Sequence, residues 1–158
     1  MRKLVFVAIC LLVLAAAATA QKIDTRWSCM KPTENPMLEV GDAPAHQYGL
    51  AKGTCKAASS GSGEKSGAYA EVQEMWKESV KVHGHFIVTM DNGDTVHYTY
   101  EGTGSPDPKK PMANKWKIES GTGKHKGMKG AGSCSGKQNA DGSSDWTCTG
   151  TYSMGSKS

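Results

Sequence analysis

Two histidines and two tyrosines at alternating positions are the side chains best suited to chemistry in this sequence. His83 and His85 are separated by one residue, and so are Tyr98 and Tyr100. Because alternate residues of a β-strand share a face, each pair would present two polar rings to the same side. Imidazoles beside phenols supply a general acid and base, or hydrogen-bonding groups that line a pocket.

The segments that carry these pairs have the pattern of a β-hairpin. Residues 80–90 and 95–101 are rich in β-branched and aromatic side chains, and Asn92-Gly93 lies between them. Asn-Gly is typical of a two-residue hairpin turn, which would place Tyr100 directly opposite His85. In that register one face of the hairpin carries His83, His85, Ile87, Tyr98 and Tyr100.

The sequence leaves open which face of this hairpin is interior. Phe86 and Val88 form the more apolar stripe, on the other face, and a monomer would normally bury such a stripe. However, Glu101 interrupts that stripe and would need a buried partner. We therefore expect the histidine and tyrosine face to point inward, and histidines exposed on a solvated face are the alternative.

Neither a metal site nor a catalytic carboxylate is well supported by the spacing. His97 falls on the opposite face from His83 and His85 in this register, so a third metal ligand is missing. Glu71 and Glu101 lie in strand-like segments, where pairing across strands on the surface is more common than catalysis. We expect no metal and no other cofactor.

Four of the five cysteines lie beyond residue 20 and predict two disulfides. Cys134 and Cys148 are symmetric about Asp141 in a turn-forming segment, so a hairpin there would bring the two thiols together. That pairing leaves Cys29 for Cys55, although the count alone allows three arrangements. The cysteines lack a C-x-x-C spacing, which disfavours a zinc site.

Residues 1–20 have the layout of a secretory signal peptide. Arg2 and Lys3 precede an apolar run, and Ala18-Thr19-Ala20 has the small residues of a cleavage site. The run is too short for a convincing membrane span, and disulfides fit export to the periplasm or the medium. Removing the two cations of this leader lowers the formal net charge from +4 to +2, which argues against nucleic-acid binding. The remaining residues, 21–158, are expected to form a single domain.

Glycine-rich β patterning runs through the rest of the chain. Residues 21–45 hold three prolines and are predicted to form an irregular N-terminal arm, and 57–67 a flexible loop. Strand patterns number seven or eight, and in one of them Trp116 and Ile118 share a face. The glycines of 121–136 are expected to relieve crowding where strands bend. This all-β pattern favours a small antiparallel barrel or sandwich.

The segment GTGKHKGMKGAGSCSG, at 121–136, resembles the late strands of the allene oxide cyclase/dirigent-like β-barrel superfamily. A tryptophan-bearing strand precedes it and a glycine-turned hairpin follows it, so the resemblance extends over residues 80–152. It implies an eight-stranded antiparallel barrel with an interior pocket for an apolar small molecule. It also implies association through an apolar outer face, which would cover Phe86 and Val88 in a homo-oligomer.

Two functions follow from the pocket that this resemblance implies. One is a cofactor-free isomerase, cyclase or lyase acting on a small apolar or aromatic molecule, with His85 and Tyr100 as catalytic residues. The other is a carrier that binds the same kind of molecule without turnover. In either case the expected ligand-binding residues are His83, Tyr98, Ile87 and Trp116. Fold alone does not decide between the two functions.

Overall fold

A computed structural model describes residues 20–155 of the chain. All but Ala20 of the predicted signal peptide lies outside the described residues. The described part contains nine β-strands and one short 3₁₀ turn, at Gly123–His125. The strands are β1 Gln21–Cys29, β2 Met37–Glu39, β3 Gln47–Ser60, β4 Glu64–Met75, β5 Val80–Met90, β6 Thr95–Gly104, β7 Met112–Gly121, β8 Lys129–Gln138 and β9 Ser144–Ser153.

Eight of these strands close into an antiparallel barrel. From β3 to β9 each strand pairs with the next along the chain, and β1 pairs with both β9 and β3. β2 is an additional short strand that pairs with the first residues of β3. The predicted all-β antiparallel barrel of about eight strands is therefore confirmed. No helix among residues 20–155 has the length and apolar character that a membrane span requires.

Two segments that composition assigned to irregular structure contain strands. The predicted arm at 21–45 is shorter in the structure, because residues 21–29 form β1 and pair with β9 throughout. The predicted loop at 57–67 was wrong at both ends, since only residues 61–63 separate β3 from β4. In both segments successive side chains alternate between the outer surface and the interior. Pairing with neighbouring strands outweighs the low strand propensity of the small and polar residues.

The hairpin of β5 and β6 differs from the prediction by one residue. Its loop holds three residues, and Met90 pairs with Asp94 through a backbone hydrogen bond of 2.9 Å. Gly93 ends this loop with φ of +85°, a conformation that suits glycine. Tyr100 consequently lies opposite Gly84 rather than His85. A shift of one residue moves every side chain of a strand to the other face, so the tyrosines and histidines lie on opposite faces of the sheet.

The two ends of the barrel differ in how their interiors are filled. Near the turns at 61–63, 91–94 and 122–128 the interior is packed with large side chains that are at most 4% exposed. The other end is ringed by residues 76–79, 105–111 and 139–143 and by the arm that follows β1. The side chains that fill the packed end are Ile23, Val88, Met90, Val96, Ile118 and Met128.

Both predicted disulfides are confirmed. Cys29 on β1 is bonded to Cys55 on β3, and Cys134 on β8 is bonded to Cys148 on β9. In each bridge the two cysteines are direct partners in the strand register. The side chains of all four cysteines face the barrel interior, where they lie along the wall toward the open end.

Candidate functional site

The open half of the barrel contains a cavity of about 440 Å³. Its wall is rich in aromatic rings, and six different strands contribute seven of them, two from β6. The cavity reaches from the open end down to the packed side chains of the closed end. The seven rings belong to Trp27, Tyr69, Phe86, Tyr98, Tyr100, Trp116 and Trp146.

Glycines on the neighbouring strands make room for these rings. A Cβ atom on Gly132 would lie 2.3 Å from the Trp116 ring, and one on Gly53 would lie 2.5 Å from the phenol of Tyr69. Contacts this short do not occur between real side chains, so a larger residue at either position would displace the ring. Gly132 relieves crowding, as predicted, and the crowding comes from the Trp116 ring and the Thr149 backbone oxygen.

Glu71 brings a carboxylate into this largely aromatic wall. The side chain is partly buried on the interior face of β4, with Tyr69 and Gln73 on the same face. Tyr100 donates a hydrogen bond of 2.5 Å to Glu71 Oε2, and Gln73 Nε2 donates one of 2.7 Å to Oε1. Each carboxylate oxygen can accept a further hydrogen bond, so Glu71 can still bind a donor in the cavity.

The phenols beside Glu71 are held in their neutral form. Burial raises the pKa of Tyr69 to about 12, and the nearby charge of Glu71 adds to the effect. Burial and then Glu71 raise the pKa of Tyr100 still further. Burial also raises the pKa of Tyr98, with smaller contributions from Glu64 and Tyr152. These three hydroxyls are therefore protonated at neutral pH and are available as hydrogen-bond donors.

Three buried polar atoms in the cavity wall lack a hydrogen-bond partner within the described residues. They are Tyr98 Oη, Asn114 Oδ1 and Trp116 Nε1. Buried polar groups in proteins are nearly always paired, and an unpaired one costs about 1–3 kcal/mol. Within the described residues, the cavity wall therefore holds one unpaired acceptor, Asn114 Oδ1, and two unpaired donors, Tyr98 Oη and Trp116 Nε1.

One oxygen of the second interior carboxylate, Glu64 Oε2, accepts hydrogen bonds from three neighbouring hydroxyls. Thr25 Oγ1 donates to Glu64 Oε2 at 3.0 Å and Ser62 Oγ at 2.8 Å, and Ser60 Oγ donates to the same oxygen. Glu64 is buried near the closed end, where these bonds connect β4 to β1 and to the β3–β4 turn. Its role in the described residues is therefore structural.

The structure divides the predicted site residues between two surfaces. The predicted ligand-binding residues Tyr98 and Trp116 and the predicted catalytic residue Tyr100 line the cavity, and their roles stay predictions. The prediction that three further residues of β5 point into the barrel was wrong. The observed register differs by one residue from the predicted one, so these side chains lie on the opposite face from the two tyrosines. The side chains on the outer surface are His83, His85 and Ile87.

Sequence reasoning did not identify Glu71, Gln73 and Asn114 as site residues. Glu71 was expected to pair across strands on the surface, but it faces the interior and accepts a hydrogen bond from Tyr100. The available signal was the alternation of Tyr69, Glu71 and Gln73, which places a carboxylate and an amide beside an aromatic ring. Tyr100 therefore has Glu71, rather than His85, as its hydrogen-bond partner.

A second polar cluster lies at the rim of the open end. His46 is 8% exposed, and its Nδ1 is 2.6 Å from Asp42 while its Nε2 is 3.3 Å from Glu74. Its ring stacks on Trp76, and Tyr48 donates to the same Glu74 oxygen. The hydrogen bond with Asp42 is the main reason that the pKa of His46 is raised; burial opposes this shift and Glu74 adds to it. This cluster fastens the end of the arm to β3 and β4.

Within residues 20–155, no three histidine, cysteine, aspartate or glutamate side chains are arranged to hold a metal ion. Neither a scan against protein-family models nor a search of curated proteins found a match for this chain.

Proposed function

We propose that this chain is a binding protein that holds a small, largely aromatic or apolar molecule inside the barrel. The observation that carries the proposal is the cavity of about 440 Å³, whose aromatic wall contains a few buried polar atoms without partners. Small-molecule sites are typically concave, about 300–1,000 Å³ in volume, and mostly apolar with a small number of orienting polar groups. The cavity has each of these properties.

A cofactor-free isomerase or lyase is the second candidate, and the Tyr100–Glu71 hydrogen bond is what favours it. A carboxylate beside a phenol could move a proton on a bound substrate, with Glu71 as base and Tyr100 as acid. Efficient proton transfer needs a pKa near the working pH, whereas burial and Glu71 raise the pKa of Tyr100 far above neutrality. This mismatch favours binding over catalysis as the primary function.

Export and family membership belong to the same proposal. The two disulfides support export to the periplasm or the medium, because such bonds persist in oxidising compartments. The closed eight-stranded antiparallel barrel supports the resemblance to the allene oxide cyclase/dirigent-like superfamily. Association as a homo-oligomer stays a prediction, but the expected interface was wrong, because Phe86 and Val88 face the barrel interior.

Binding inside the barrel can be tested with N-phenyl-1-naphthylamine, an uncharged probe that fluoresces in apolar surroundings. We expect one probe to bind per chain. Val82→Phe, which adds a ring to the cavity wall, should weaken binding at least about tenfold, equivalent to roughly 1.4 kcal/mol. His83→Phe, which adds the same ring to the outer surface one residue away, should leave binding unchanged.

Two results would contradict the proposal. One is the absence of probe binding to the folded wild-type protein. The other is equal affinity of the wild-type protein and the Val82→Phe variant, which would place the probe elsewhere. Near-ultraviolet circular dichroism checks that both variants keep their tertiary packing.

A further inference from the structure

The cavity contains negative charge without positive charge to balance it. Among the described residues that line it, Glu64 and Glu71 are the ionisable acids, and none is a lysine, arginine or histidine. The chain as a whole has the opposite balance, with 19 lysines and arginines against 15 acidic residues. From this separation of charge we infer that the bound molecule is an organic cation, most simply an alkylammonium ion that carries an aromatic ring. The inference rests on the proposed function.

Glu71 is the carboxylate that lacks a counter-ion. Its two hydrogen bonds come from the phenol of Tyr100 and the amide of Gln73, both of which are uncharged. None of the salt bridges within residues 20–155 includes it. A partly buried carboxylate is stabilised strongly by a nearby positive charge, because the surrounding medium screens less than water does. A cationic ligand would supply that charge.

The aromatic rings favour the same ligand charge. The face of an aromatic ring carries negative potential, so a cation near several rings is attracted without forming a hydrogen bond. Tyr69 lies two residues before Glu71 on the same face of β4, Tyr100 donates to Glu71 from β6, and Trp116 lies opposite Tyr100 on β7. A cation held by Glu71 would therefore lie among electron-rich ring faces.

One of the unpaired atoms, Asn114 Oδ1, fits an ammonium group, whereas Trp116 Nε1 can only donate and so fits an acceptor elsewhere on the ligand. Asn114 Oδ1 is an acceptor without a donor, and an ammonium group provides N–H donors. An anionic group would instead be close to Glu71 with no cation in the cavity wall to offset the repulsion. The apolar remainder of the ligand would lie against rings such as Phe86 and Trp27.

Three probes with the same phenyl skeleton separate charge from shape. They are 2-phenylethylamine, which is cationic at pH 7, the neutral 2-phenylethanol, and the anionic 3-phenylpropionate. Titration calorimetry on the exported protein should give the order amine, alcohol, acid, with the amine at least about tenfold tighter than the alcohol. Glu71→Gln should abolish the preference for the amine. Glu101→Gln, which removes the same charge from the outer surface, should preserve it.

The outcomes distinguish this inference from the function on which it rests. Equal affinities for the three probes, or tightest binding of the acid, would overturn the cation inference while leaving the cavity a binding site. The cation inference also fails, and the binding site stands, if N-phenyl-1-naphthylamine binds and 2-phenylethylamine does not. If neither the naphthylamine nor any phenyl probe binds the folded protein, the inference and the proposed function both fail. The wild-type series carries the test even where Glu71→Gln does not fold.

Discussion

The phenol ring of Tyr100 lies across Gly84, its direct cross-strand neighbour, with no side chain between the ring and the β5 backbone. A Cβ atom on Gly84 would come within 2.5 Å of the Tyr100 hydroxyl and 2.8 Å of the Glu71 Cβ. The glycine thus allows Tyr100 to lie against the wall and reach the Glu71 carboxylate on the strand beyond β5. A single small residue sets the geometry of the best-defined polar contact in the cavity.

Gly84→Ala is therefore expected to displace Tyr100 and break its hydrogen bond to Glu71. Overpacking of this kind typically destabilises a protein by about 1–3 kcal/mol, which urea unfolding will measure. Gly61→Ala is the matched control, because a Cβ atom there would meet nothing closer than 3.8 Å. Equal unfolding midpoints for the two variants would contradict the arrangement described for Tyr100.

The two disulfides should contribute unequally to the stability of the barrel. Each bridge closes a moderate loop, of 26 and 14 residues, and contributes about 3 kcal/mol on the loop-entropy model. The Cys29–Cys55 bridge lies where β1 meets β3 over only five residue pairs, whereas β8 and β9 share ten. We expect the double variant Cys29→Ala/Cys55→Ala to unfold at a lower temperature than Cys134→Ala/Cys148→Ala.

Reduction of both bridges together should unfold the barrel near room temperature. Typical domains are stable by only about 5–15 kcal/mol, and the two bridges supply a large part of that. Circular dichroism in the far and near ultraviolet, recorded in excess reductant, tests this. Spectra unchanged from those of the oxidised protein would refute it.

Anchoring of the arm at His46 should depend on pH. The pKa of His46 is raised in the folded protein, so its contribution is fully present below about 6.5 and is lost as the pH rises through the raised value. The pKa of Asp42 is lowered, chiefly by its hydrogen bond to His46, so its contribution is lost as the pH falls through that lower value. The other groups facing the ring are Glu74, Tyr48 and Trp76.

Hydrogen exchange of the arm measures this anchoring directly. After correction for the intrinsic rate, protection of residues 40–46 should be greater at pH 5.5 than at pH 8.5. His46→Gln should remove the difference, whereas His125→Gln, at the opposite end of the barrel, should retain it. Equal protection of the wild-type arm at both pH values would contradict a charged His46 contact.

The strands around residues 80–101 could be predicted from sequence, but their register could not. Asn-Gly fits both a two-residue turn and a three-residue loop with glycine in the left-handed conformation. In the structure Asp94 accepts a hydrogen bond from the backbone N–H of Lys124 at 2.9 Å and contacts His125. These contacts accompany the longer loop, and they join segments about 30 residues apart, which no local pattern reveals.

The candidate site was only partly predictable for a related reason. The cysteine pairs followed from a local turn and from elimination, and the shared face of Trp116 and Ile118 followed from alternation alone. Glu71 required knowledge of which face of β4 is interior. The interior face carries a carboxylate and an amide, so hydrophobicity alone predicts that this face is exposed to solvent. The aromatic rings that lie over the glycines show which face is interior, and these rings come from other strands.

Asn114→Leu should stabilise the empty barrel and weaken binding of an amine. The variant removes a buried oxygen that has no partner within the described residues and replaces it with apolar surface of similar volume. Relief of an unpaired buried polar group is worth about 1–3 kcal/mol, so the unfolding midpoint in urea should rise. Residues that serve binding commonly reduce stability in this way.

The same variant should lose part of its affinity for 2-phenylethylamine, because the ammonium group loses an acceptor. Lys117→Leu provides the control, since it adds leucine to the outward face of the same strand without touching the cavity. That control should bind the amine as the wild-type protein does. If Asn114→Leu lowers stability and leaves amine affinity unchanged, Asn114 makes a structural contact rather than a ligand contact.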